Sequence, residues 1–229
     1  MESGIWRGFG VNKADTVLHF MPAVKGSKVP HSVECHLAVF SDQIEPKTVL
    51  LDGARVAQPD GLLLKDAFPQ LASSQLASSE LGKASGELFG IEVAFTSAQG
   101  AGQTSLDLSA SGAVFEVIEK SRSARYQARY AECVEQTEPV SFMIVNEWGY
   151  NPSIVAVNGG ETQVELSISL EGESKNLGAL ASLQVKEFAL ARSSSPAMRA
   201  ELQGYPSTLS CYLVYRDTNN SIVLVEQLR

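Results

Sequence analysis

Thr162-Gln163-Val164-Glu165-Leu166-Ser167-Ile168-Ser169-Leu170 alternates polar and apolar residues without a break. An extended chain points successive side chains to opposite faces. Val164, Leu166, Ile168 and Leu170 therefore share one face, and Gln163, Glu165, Ser167 and Ser169 share the other. That is the pattern of an antiparallel strand with one face on a core and one in water. Working outward from this stretch, ten further short runs rich in β-branched and aromatic residues read as strands: Thr16 to Phe20, Val33 to Phe40, Thr48 to Leu51, Leu88 to Thr96, Ala113 to Ile118, Val140 to Val145, Ile154 to Val157, Ser182 to Ala191, Leu209 to Tyr215 and Ser221 to Leu228. Asn158-Gly159-Gly160 and Asp217-Thr218-Asn219-Asn220 supply residues that tolerate positive φ, and both read as hairpin turns.

A second pattern divides the chain. Leu62, Lys65-Asp66, Ser73-Ser74 and Glu80-Leu81 recur 121 positions later, without a gap, as Leu183, Lys186-Glu187, Ser194-Ser195 and Glu201-Leu202. Six identities in twenty positions exceed the one or two expected, roughly, of unrelated segments of this composition. The expectation is an all-β protein of two tandem antiparallel β-sandwich domains from an internal duplication, residues 1–122 and 123–229, packed through an interface near residues 120–140. Each half is expected to carry a short connecting helix, over Pro69 to Leu81 in the first. In the second it is expected over Ser195 to Leu202, where Ser195 has the chemistry of an N-cap and Pro196 that of a first helical residue. Weaker matches align Ile91–Phe95 with Cys211–Tyr215, and Leu37–Phe40 with Phe142–Val145. Their changed offset implies an extra hairpin within Gly159 to Gly172. A single large double-sheet sandwich or jelly roll is the alternative architecture.

The 229 residues are 44% hydrophobic and 19% charged, a globular composition. A net charge of -8 repels nucleic-acid phosphates and anionic lipid, so neither nucleic acid nor a membrane is an expected partner. No run approaches eighteen apolar residues and the first residues have no signal-peptide pattern, which reads as a cytoplasmic chain. Cys35, Cys133 and Cys211 are far apart and read as packed thiols rather than a disulfide framework.

Three groups of residues carry candidate chemistry. His31-Ser32-Val33-Glu34-Cys35-His36 and the earlier His19 hold all three histidines. On extended backbone Glu34 and His36 share a face, and His19 would join them across a hairpin, so His19, Glu34 and His36 form a candidate metal site of two imidazoles and a carboxylate. The bland reading is the polar face of an ordinary strand. Glu119 to Tyr130 concentrates Lys120, Arg122, Arg125 and Arg129 with Tyr126 and Tyr130. As a strand it sets Arg125 and Arg129 on one face, suited to phosphate, a sugar acid or a base, or else it is an edge strand guarded by charge. Asn146-Glu147-Trp148-Gly149-Tyr150-Asn151-Pro152 offers aromatic faces and amides to a sugar or peptide through Trp148, Tyr150 and Asn146, or packs its own Trp beneath a sheet. No nucleophile elbow, phosphate loop or dinucleotide pattern is present, and no cofactor is expected.

In the second half a strand (Leu183 to Leu190) leads to a Ser- and Pro-rich turn (Ser193 to Leu202), a strand (Leu209 to Tyr215), a polar turn and a last apolar strand (Ser221 to Glu226). This order resembles the small β-sandwich family of sensory-rhodopsin transducers, soluble oligomeric bacterial proteins. The likeness covers about 45 residues per half at the level of pattern. Ser221 and Glu226 stand where that family is expected to have Pro and His, so the resemblance assigns no functional residue. Together these readings favour a non-enzymatic binding or assembly module for a protein partner or a carbohydrate, with a homo-oligomer covering exposed strand edges. The alternative is a metal-dependent enzyme centred on His19, Glu34 and His36.

Overall fold

A computed structural model of the chain describes residues 4–21, 33–42, 44–72, 88–97, 111–119, 122–128, 139–146, 149–191, 193–204, 206 and 208–228. The first half contains β1 (Gly4–Val11), β2 (Asp15–Met21), β3 (Val33–Ser41), β4 (Ile44–Asp52), α1 (Gly53–Val56), β5 (Leu62–Leu63), α2 (Leu64–Ala67), a 3-10 turn (Pro69–Ala72), β6 (Leu88–Ser97), β7 (Gly112–Glu119) and β8 (Arg122–Ala128). The second contains β9 (Val140–Val145), β10 (Asn151–Asn158), β11 (Val164–Leu170), β12 (Glu173–Leu180), β13 (Gln184–Ala189), β14 (Ala197–Gln203), β15 (Leu209–Arg216) and β16 (Ile222–Gln227). All ladders are antiparallel.

The two halves have one topology. Sheet 1a runs β4-β3-β6-β1 and sheet 1b runs β5-β2-β7-β8. Adding eight to every strand number gives sheet 2a, β12-β11-β14-β9, and sheet 2b, β13-β10-β15-β16. Residue correspondence follows along the ladders. Val11 and Val145 end the first strand of each unit, opposite Leu88 and Ala197. Counting on from there, Arg7 opposite Glu92 matches Ser141 opposite Glu201, and Val33-Glu34 falls on Val164-Glu165. Inward side chains agree: Phe89, Ile91 and Val93 fall on Met198, Ala200 and Leu202, all buried.

The expected two-sandwich fold is present, with corrections of detail. The 121-residue offset is not the structural correspondence: Leu62 of β5 stands opposite Leu18 inside the first sandwich as Phe188 of β13 stands opposite Ile154 inside the second, and Lys65-Asp66 lie in α2 whereas Lys186-Glu187 lie in β13; Ser73, Ser74, Glu80 and Leu81 lie outside the described residues. Ile91–Phe95 (β6) does not correspond to Cys211–Tyr215 (β15), nor Leu37–Phe40 (β3) to Phe142–Val145 (β9), and Gly159 to Gly172 is no extra hairpin. Asn158-Gly159-Gly160 instead carries the chain from sheet 2b to sheet 2a. The stretch Ser195 to Leu202, expected as a helix, contains β14. Its composition favours helix, yet Met198, Ala200 and Leu202 point inward and Arg199 and Glu201 outward, so pairing with β9 and β11 overrides local propensity. The expected boundary at 122/123 would cut β8 from sheet 1b, to which its ladder with β7 joins it. The turn at Asp217 to Asn220 does close the β15–β16 hairpin.

The sandwiches pack as one hydrophobic body. In the first, Trp6 from sheet 1a meets Phe20 of sheet 1b edge-on at 6.0 Å between centroids. In the second, Ile154, Ala156, Cys211, Leu213 and Tyr215 of sheet 2b pack with Leu166, Ile168, Ala200 and Leu202 of sheet 2a. Sheet 2b is buried on both faces, since Val155, Val157, Val185, Tyr212, Val214 and Val225 belong to the cluster of the first sandwich. Phe9 of β1 stacks on Tyr126 of β8 at 5.0 Å and meets Tyr212 of β15 at 5.3 Å. At one margin Arg7 pairs with Glu92 at 2.8 Å under Gly159, where a Cβ would overlap the Arg7 side chain. At the other, Arg122 pairs with Asp217, and the Ile222 N–H donates to Glu119 at 3.2 Å. Cys35 and Cys211 are buried free thiols, and burial pushes Cys35 up to about 12. Cys133 lies outside the described residues. No described helix is long and apolar enough to cross a membrane.

Candidate functional site

The alternation of β2 decides where His19 goes. Leu18 and Phe20 point into the first sandwich, Phe20 against Phe95, so His19 faces outward from sheet 1b. β3 does the same in the other sheet. Cys35 and Leu37 point inward, leaving Glu34 and His36 on the outward face of sheet 1a. His19 and the Glu34–His36 pair therefore lie on opposite outer surfaces with the whole sandwich between them. The expected metal site is not assembled, because β2 pairs with β5 and β7 rather than forming a hairpin with β3. Among the described residues no group of three or more His, Cys, Asp or Glu is placed to hold a metal ion.

His19 instead meets a residue from another expected site. Glu116 stands opposite Arg125 on the β7–β8 ladder and opposite Val17 on the β2–β7 ladder. Its Oε2 lies 3.1 Å from His19 Nε2 and accepts from Arg125 Nε at 3.0 Å. Burial alone would raise the Glu116 carboxyl; hydrogen bonds from Arg125, His19 and Ser123, with the charge of Arg125, outweigh it and hold the group below its usual 4.5. Glu116 is nearly covered, at 8% side-chain exposure, while Arg125 is 66% exposed and presents the rest of its guanidinium at the surface. Gly61, at φ +73°, runs against the His19 ring with no room for a Cβ. Met21 is exposed on the same face. Glu116 escaped the sequence reading, although it is the one acid within the apolar run Ala113 to Ile118.

Tyr126 and Arg125 fall on opposite faces of β8 as expected, with Tyr126 buried between Phe9, Phe115 and Tyr212. Arg129, Tyr130 and Trp148 lie outside the described residues. Asn146 holds the β9–β10 connection to the start of β14, its N–H donating to Pro196 O at 2.8 Å and its Nδ2 to Ser195 O at 2.9 Å. Tyr150 is half-buried against the core of the second sandwich. The connection enters β10 at Asn151, opposite Arg216, and the next residue along β15 is Asp217, the partner of Arg122. Asn146, Tyr150 and the start of β8 at Arg122 thus lie toward one end of sheet 2b. Asp217 is held below its usual 3.8 by the Ser221 N–H, then, against desolvation, by the Asn219 N–H and Arg122.

A further ionic group lies on the face of sheet 2b turned toward the first sandwich. Arg216 makes two bonds to Glu187, at 2.9 and 3.0 Å, and donates to Asn220 O at 3.0 Å, while Ser153 Oγ donates to Glu187. Both partners are only 9% exposed, and every strong donor has an acceptor, the arrangement of a structural clamp. No protein-family model matches the chain, and no curated protein matches it.

Proposed function

We propose that the protein is a non-enzymatic binding or assembly module, recognising another protein or a carbohydrate and acting in the cytoplasm. The observation that carries this reading is the exposed Arg125 guanidinium on the outer face of sheet 1b, held by Glu116 beside His19. A guanidinium whose remaining edge is open to water suits carboxylate, hydroxyl or backbone acceptors of a partner. His19 and Met21 share that outer face, and Arg122, Asn146 and Tyr150 offer a second polar group toward one end of sheet 2b. The resemblance of the later strands to sensory-rhodopsin transducers supports an assembling β-sandwich, without the helical turn of the pattern. No observation favours the metal-dependent alternative, whose three residues stand on opposite faces.

Screening immobilised full-length protein against a glycan array and a peptide library, with Arg125→Glu, Trp148→Ala and Tyr150→Ala beside it, tests the reading. A specific binder weakened at least tenfold by Arg125→Glu is the expected outcome. Binding untouched by all three substitutions would place recognition elsewhere, and metal-stimulated turnover abolished by His36→Ala would replace the proposal.

A further inference from the structure

The first strand of each sandwich is a sheet edge, and the two edges are finished differently. Along a strand, the N–H and C=O of alternate residues point to opposite sides. In β1 the groups turned away from β6 include those of Arg7 and Phe9, and tyrosines close three of them. Tyr212 donates to the Arg7 carbonyl, while Tyr126 Oη takes the Phe9 N–H at 2.7 Å and donates to the Phe9 carbonyl. In β9 the same count turns Ser141, Met143 and Val145 outward. The Val145 N–H reaches Tyr215 Oη at 2.8 Å, whereas the Asn146 N–H turns the other way, to Pro196. The backbone groups of Ser141 and Met143 have no partner among the described residues.

We propose that β9 pairs with β9 of a second copy of this chain, antiparallel about a twofold axis through Phe142, joining two copies of sheet 2a into one continuous sheet. This names the partner for the assembly reading above and rests on it. The register sets Ser141 opposite Met143 of the second copy and uses the outward N–H and C=O of both residues, four backbone hydrogen bonds in all. Pairing ends on both sides, at Pro139, which has no N–H, and at Val145, whose N–H is held by Tyr215. Charge agrees. β9 carries no charged residue, while the long free edges β4 and β12 carry Glu45, Lys47 and Asp52, and Glu173 and Lys175. Glu201 lies beside Ser141 and Arg199 beside Met143, so each row across the junction runs from an acid of one copy to a base of the other. Met143, 52% exposed, would be covered.

Analytical ultracentrifugation of the whole chain over a concentration series tests this. The expected mass is twice 24.6 kDa. Met143→Lys, which sets two cations diagonally across the axis, and Met143→Pro, which deletes only an outward N–H, should each raise the dimer dissociation constant at least tenfold, and Leu50→Lys on β4 should leave it unchanged. Should Met143→Pro misfold, the lysine variant decides by itself. A wild-type chain monomeric throughout, or a dimer indifferent to Met143→Lys, overturns the pairing. A monomer that still binds a glycan or peptide through Arg125 sinks the pairing and leaves the binding reading standing; a Met143-dependent dimer without any binder sinks ligand recognition and keeps the assembly.

Discussion

Sheets 1b and 2b have the same strand order, yet their outward faces are opposites. Sheet 2b turns Val155, Val157, Val185, Tyr212, Val214 and Val225 toward the first sandwich. Sheet 1b turns His19, Glu116, Arg125 and Met21 outward. A half-buried sheet needs one apolar face and a sheet between two cores needs both. The position of a unit in the tandem thus decides the chemistry of a face that topology alone leaves open. Repeat arrays follow the same rule, in which the outer face of a terminal unit is polar.

The ion pairs on these two faces offer the sharpest way to break the comparison. Glu187→Ala leaves Arg216 buried and uncompensated and should cost about 3–5 kcal/mol, read as a fall in denaturation midpoint. The interface tyrosines come next. Tyr126→Phe strands the Phe9 N–H and C=O on β1 and should cost about 1–3 kcal/mol, whereas along Ser141 and Met143 of β9 no tyrosine hydroxyl performs that task and Ser141→Ala should be nearly silent. Glu116→Gln should cost the least, about 1 kcal/mol, because Arg125 is 66% exposed and returns to water. Since the Glu116 carboxyl is held below its usual 4.5, its stabilisation is in place above that pH and drains away as pH falls through the lowered value. The difference in stability between wild type and Glu116→Gln should therefore shrink on acidification, and a difference independent of pH would show that the pairings contribute nothing.

Much of the fold was legible because period two survives wherever one face is wet. All eleven strands read from sequence are present. Three of the strands outside that set had their pattern masked for identifiable reasons. In β1, Gly4, Gly8 and Gly10 dilute the signal, and the structure uses two of them to seat aromatic rings, Phe115 over Gly8 and Phe89 over Gly10. β14 is written in helix-forming residues, and β5 is two residues long. The 121-residue repeat is not the register of the structure, because connections of unequal length give each pair of equivalent strands its own offset. The candidate site was less legible. Residue type marked His19 and Arg125, but the His19–Glu116–Arg125 group joins three strands far apart in sequence, and only sheet order reveals it.

The central claim is that two copies of one sandwich are fused through a doubly buried sheet into a single body. Calorimetric unfolding of the intact chain measures this most directly. The account predicts one transition whose calorimetric and van't Hoff enthalpies agree; two resolved transitions, each of about half the total enthalpy, would contradict it.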